Sequence, residues 1–252
     1  MDSRLLQRLA RAESAFRTGD LSGAHAELET IVAQENAPAA AFHLMALIAR
    51  REQRPTDAGE LFRQALARAP QDGQINNNYA NFCAHAGDVE AALRHYSIAA
   101  GGSGKAAVDA LVNRAVLRQQ LQQLDQALAD VDAALALDPQ AANAHSIRGA
   151  ILRDQDRLDE AAAAFDRALS LEPARPTALR GRARVALERG EADAAARFRH
   201  CATAGAAGPD VLLGLANALE ADGDLSGMAL LEDAERRYVA DYFPQVRPVG
   251  RH

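Results

Sequence analysis

The chain has no tryptophan, and aromatic residues fill only 4% of its 252 positions. That rules out an interior of large flat rings. With 48% apolar residues, the core must be built mainly from Ala, Leu and Val, small side chains that suit closely packed helices. Cysteine is also scarce. Cys83 and Cys201 are far apart and show neither a CxxC nor a metal-ligand spacing, so they read as two reduced thiols. No apolar run approaches the roughly 18 residues of a membrane span, and the opening MDSRLLQRLARAESAF is charged throughout, with no apolar signal core. The expectation is a soluble, cytoplasmic protein without membrane insertion. A net charge of -6 and a pI near 5.7 lack the basic excess of a chain whose main task is holding nucleic acid.

What is present is a repeat. RLDEAAAAFDRALSLEP (157 to 173) aligns without a gap on QLDQALADVDAALALDP (123 to 139), at a spacing of 34 residues. Extending that register places repeat starts near residues 5, 39, 73, 108, 142, 176 and 209, with one extra residue in GGSGK and one missing near Gly208. The eighth position holds Ala12, Ala46, Ala80, Ala115, Gly149, Ala183 and Ala216, and the twentieth Ala24, Ala58, Ala92, Ala127, Ala161, Ala195 and Met228. Small residues recur where two helices must approach closely. Gly19, Gly87, Gly190 and Gly223 mark a turn between them, followed by Ser22, Asp125, Asp159, Asp193 and Ser226 as expected helix-capping residues. Phe62, Tyr96, Val131 and Phe165 are the bulky residues at position 24. Pro70, Pro139 and Pro173 close their repeats because proline cannot continue a helix.

This pattern resembles the tetratricopeptide repeat superfamily over about residues 5 to 235, in its repeat length, its small residues at positions 8, 20 and 27, its bulky position 24 and its proline at 32. The resemblance implies an all-α, right-handed α-solenoid of stacked antiparallel helix pairs. One such solenoid is expected over 1–238, its seventh repeat a degenerate polar cap, with a C-terminal tail at 239–252. In the sixth repeat Phe198 stands one place early and Arg199 takes the bulky position; in the seventh, Glu232 and Glu235 replace apolar or small residues.

Signals for chemistry are weak. AAGGSGKA (99 to 106) has the spacing of a phosphate-binding loop, but Ala106 stands where a Ser or Thr should meet magnesium, and a helix precedes it instead of a strand. It reads as a glycine-rich connection. The histidines form no His-x-x-x-His pair, so neither zinc nor any other cofactor is expected. His145 is expected to pack between helices, and no residue is assigned to catalysis.

The resemblance further implies that positions 2, 5, 6, 9, 12 and 13 of each repeat line a concave groove. The third repeat then presents Asn77, Asn78, Asn81 and His85, the fourth Asn113, and the fifth Asn143 and Arg153. Arg50 and Arg51 of the second repeat and Arg180 and Arg184 of the sixth flank this amide zone with positive charge. A side-chain amide both donates and accepts, so it can bridge the N–H and C=O groups of an extended peptide. Compared with the family's carboxylate clamp, Asn81 and Asn113 match the two asparagines. Its three cationic places hold Asn77, Asn143 and Ile147, so an acidic chaperone tail is not expected. An asparagine ladder at position 6 has two rungs, Asn78 and Asn113, ended by Leu44 and Ile147. The other reading of these amides is the ordinary solvated surface of a solenoid.

The expected function is a non-enzymatic scaffold or adaptor that holds a protein or peptide partner in the groove. The alternative is a recruitment module of, or partner to, a bacterial transferase or hydroxylase; self-association through the end repeats is a third reading. Tyr238, Tyr242 and Phe243 in the tail are expected to fold back over the last helix, since exposed aromatics are a liability.

Overall fold

The computed structural model describes residues 3–206 and 208–223, and these form thirteen α-helices and no strand. The fold class is the expected all-α solenoid. The helices are α1 (Ser3–Thr18), α2 (Leu21–Val32), α3 (Ala39–Arg51), α4 (Pro55–Arg68), α5 (Gly73–His85), α6 (Val89–Ala100), α7 (Gly104–Gln120), α8 (Leu124–Leu137), α9 (Ala142–Asp154), α10 (Leu158–Leu171), α11 (Pro176–Glu188), α12 (Ala194–Thr203) and α13 (Pro209–Ala221). Each of the first six repeats supplies a helix pair. Met228, Ser226, Glu232, Glu235 and the aromatic tail lie outside the described residues. The chain divides into two compact units, Met1–Arg114 and Ala115–His252.

The turn inside each repeat follows one rule. Position 15 is left-handed in all seven repeats, at Gly19, Gln53, Gly87, Gln122, Asp156, Gly190 and Gly223. From Asp20 to Glu191, the residue after it donates its backbone N–H to a carbonyl five residues back, as in Asp88 to Cys83 at 2.9 Å and Gln123 to Arg118 at 2.9 Å. This six-to-one bond ends the first helix and satisfies a carbonyl that would otherwise lack a partner.

The expected caps need correcting. Asp20, Asp72 and Asp88 are the residues whose carboxylates accept from first-turn amides, at 2.8, 2.9 and 3.0 Å. Ser22, Asp125 and Asp159 already lie within helices, and Asp193 makes no side-chain cap. Asp125 instead accepts from Gln155 Nε2 at 2.9 Å and Asp159 pairs with Arg189 at 2.8 Å, each tying a repeat to the next. GGSGK joins α6 to α7, where Lys105 pairs with Asp109 at 2.8 Å.

The small positions are buried, as the repeat implies: the alanines at position 8 have no exposed surface. In the first unit Phe62 and Tyr96 fill the space beside them. In the second, the Phe165 ring lies so close that a Cβ on Gly149 would meet it at 2.9 Å, and one on Gly181 would overlap it. Gly214 stands in the same relation to Phe198. The sixth repeat shifts its second helix by one residue: Phe198 and Cys201 are buried while Arg199 and Ala202 face water. Cys83 and Cys201 are free and buried. Among the described residues of the second unit, two charged groups enter the interior, each paired: Asp130 with Arg118 at 2.7 Å, and Arg182 with Asp166 at 3.1 Å and Glu191 at 2.9 Å.

Candidate functional site

In the first compact unit, α3 and α5 with the start of α7 carry the amide residues. The asparagines do not point uniformly outward. Asn76 is fully buried; its Nδ2 donates to the carbonyls of Pro70 and Asp72, both at 2.9 Å, and its Oδ1 accepts from His95 Nδ1 at 2.8 Å. His145, at the same repeat position, donates Nε2–H to the Pro139 carbonyl at 3.0 Å. At this fourth position, where the second repeat has Phe42, a polar residue caps the proline carbonyl six residues earlier. Asn77, expected to face the groove, is only 4% exposed, and its Oδ1 accepts from Asn113 Nδ2 at 3.1 Å. Burial removes it from the surface that could meet a ligand and makes it a support for Asn113.

The other three amides are half-buried, and neighbours fix which end of each turns outward. Asn78 donates Nδ2 to His43 Nε2 at 2.9 Å. Asn81 Oδ1 accepts the Tyr96 hydroxyl at 2.6 Å. The free ends are then Asn78 Oδ1, Asn81 Nδ2 and Asn113 Oδ1, none of them sealed from solvent. His43 can accept only while neutral. Burial holds it in that form, lowering its pKa to about 4, with a smaller upward pull from Asp72 and a smaller downward one from Arg50. Burial likewise pushes the Tyr96 phenol up to about 12, keeping its proton available for Asn81.

A register rule relates these contacts. Position 5 of one repeat bonds position 6 of the next, as His43 to Asn78 and Asn77 to Asn113. Position 12 meets position 13 of the next, as Gln119 Nε2 to Asp154 at 2.6 Å, and as Phe16 beneath the Arg51 guanidinium at 4.0 Å. Arg51 also donates to the Phe16 carbonyl. It braces the first two repeats while remaining exposed. Arg50, Asn81 and His85 line a hollow of about 560 Å³ floored by Phe82, Pro55 and Ala86. Phe82 and Pro55 carry no signal in the repeat pattern; the spacing of 27 residues between them matters only once helices pair.

The remaining residues lie in the second unit. Asn143 is exposed, and its Oδ1 accepts from Arg175 at 3.1 Å. Arg153, Arg180 and Arg184 come together, from α9 and α11, around a separate hollow of about 410 Å³. Arg153 pairs with Asp154 at 2.9 Å. Among the described residues, no three or more His, Cys, Asp or Glu side chains gather as a metal would need, and no helix is long and apolar enough to cross a membrane.

A family model described as tetratricopeptide repeat matches residues 9–72, 43–107, 112–176 and 151–199. No curated protein matches the sequence. Solved structures do: a tetratricopeptide repeat protein from Parabacteroides merdae is 21% identical over 93% of each chain, with a TM-score of 0.70. The C-terminal part of a repeat-containing protein from Cytophaga hutchinsonii is 13% identical over 95% of this chain and 96% of its own, at 0.66. A chain of the APC/C hetero-tetramer Cut9–Hcn1 is 14% identical over 88% of this chain and 48% of its own, at 0.67. At these identities the likeness is one of fold.

Proposed function

The chain belongs to the tetratricopeptide repeat family, whose fold is generally a protein–protein interaction scaffold, and on that premise we propose that it is a non-enzymatic adaptor gripping an extended peptide in its first compact unit. The observation that carries this reading is a set of oriented free amide ends of both kinds. Asn78 offers an acceptor, Asn81 a donor and Asn113 an acceptor, each held by a partner that uses its other end. An extended backbone presents both N–H and C=O groups, so a set that holds acceptors and a donor suits main-chain recognition without demanding a sequence. Because the amides are oriented before binding, less rotamer freedom is lost when the peptide arrives. Arg50, beside the apolar floor of Phe82 and Pro55, adds a place for a side chain.

The test begins with capture of a partner by the full chain from its native host, followed by calorimetric titration of the bound segment. Asn78→Ala combined with Asn113→Ala should weaken binding at least tenfold. Each change also removes an internal hydrogen bond, so the melting temperature should fall modestly, by the equivalent of about 1 kcal/mol per bond. Affinity unchanged in a folded double variant would exclude the amide set.

A further inference from the structure

We propose that the hollow between α9 and α11 in the second compact unit is the receptor for an acidic side chain of a peptide, seated beside an apolar neighbour. This rests on the reading of the chain as a peptide-binding adaptor, but not on the amides of the first unit. The pairing pattern of α11 points there. Arg182 on this helix is paired with Asp166 and Glu191, and Arg189 at its end with Asp159 and Glu191. Arg180 and Arg184 have no carboxylate partner among the described residues, although carboxylates are plentiful around the same helix. They stand four residues apart on one face, where like charges repel, and both line the hollow with Arg153. Among the described residues, Asp210 is the only carboxylate in that lining.

Guanidinium groups grip carboxylates in a two-pronged fashion, and a pair one turn apart gains most from an anion lodged between them. The floor is apolar: Ile147, Ala150 and the edges of Phe165 and Phe198, with Gly181 contributing no side chain. A free inorganic anion would leave that floor wet, whereas a peptide carrying Glu or Asp next to a large apolar residue covers both. A phosphoserine offers the same anionic chemistry and is distinguished by experiment.

The probes are three short fluorescein-labelled peptides of one sequence with a central Phe-Glu, Phe-Gln or Phe-phosphoserine, followed by anisotropy with the full chain. The Glu probe should bind at least tenfold tighter than the Gln probe, and raising salt should narrow the gap. In R180Q/R184Q the preference should vanish, while R180K/R184K, which keeps the charge but not the fork, should retain a reduced preference. A phosphoserine probe that binds well while the Glu probe does not discriminate from Gln would overturn the carboxylate assignment. Equal or absent binding of Glu and Gln probes, or a preference surviving R180Q/R184Q, would overturn the site. The backbone grip is judged separately: if Asn78→Ala with Asn113→Ala leaves all three affinities unchanged while the Glu preference persists, the amide reading fails and the acidic receptor stands.

Discussion

At the residue scale, the candidate site depends on two side chains that touch no ligand in the proposed reading. Tyr96 holds Asn81 and His43 holds Asn78. Tyr96→Phe should cost about 1 kcal/mol in a thermal melt by leaving Asn81 Oδ1 unpaired. It should also lower peptide affinity without changing any residue at the surface. The His43 contact makes stability depend on pH. Unfolded, the imidazole takes up a proton near its ordinary 6.5; folded, it stays neutral until about pH 4. Between these values the unfolded state binds more protons. Stability is therefore complete above about 6.5 and declines as the pH falls toward 4, by about 3 kcal/mol at most. His95, also held below its ordinary value by burial, acts in the same direction. Urea unfolding at pH 7 and pH 5 measures the difference; His43→Gln should shrink it, and an equal decline in both proteins would remove His43 from the account.

At the scale of the element, the left-handed turn position gives opposite outcomes for opposite changes. Gln122, with φ 60, holds a conformation that a side chain resists, so Gln122→Gly should stabilise by about 0.5–1 kcal/mol. Gly87, with φ 81, has no atom near its missing Cβ, so Gly87→Ala should destabilise by about 1 kcal/mol through backbone strain alone. Gly181→Ala fails for another reason. Its added methyl overlaps the buried Phe165 ring, and the overpacking should lower stability by about 1–3 kcal/mol. Chemical denaturation of the three variants checks signs and sizes together. The glycine turns were legible in the sequence; Gln53, Gln122 and Asp156 were not, because glutamine does not announce a positive φ and aspartate adopts one far less often than glycine.

At the scale of the molecule, stacked repeats make each element's stability depend mainly on its neighbours. α1 buries only Leu5 and Ala12, against α2 and α3, whereas α9 buries six residues between α8, α10 and α11. Amides of α1 should therefore exchange with deuterium earlier than those of α9 under native conditions. Simultaneous exchange of the two helices would mean that the chain opens as one cooperative body. The arginines show how charge is used at this scale. Arg148, Arg182 and Arg189 each pair with a carboxylate of the preceding repeat, whereas Arg50, Arg180 and Arg184 have no carboxylate partner among the described residues and border the two hollows.

The 34-residue spacing, the small residues at positions 8 and 20 and the closing prolines determined the family and the helix pairs by themselves, because each is a local demand that every repeat must meet for its helices to touch. Positions 5 and 6 were also readable as amides. Which amides remain free was decided by tertiary structure. Asn77 and Asn78 are adjacent in one helix and identical in type, yet one is buried under Asn113 and the other turns its oxygen outward from His43. An asparagine has two ends and many neighbours to satisfy, and only the stacking of one repeat on the next selects which end is used.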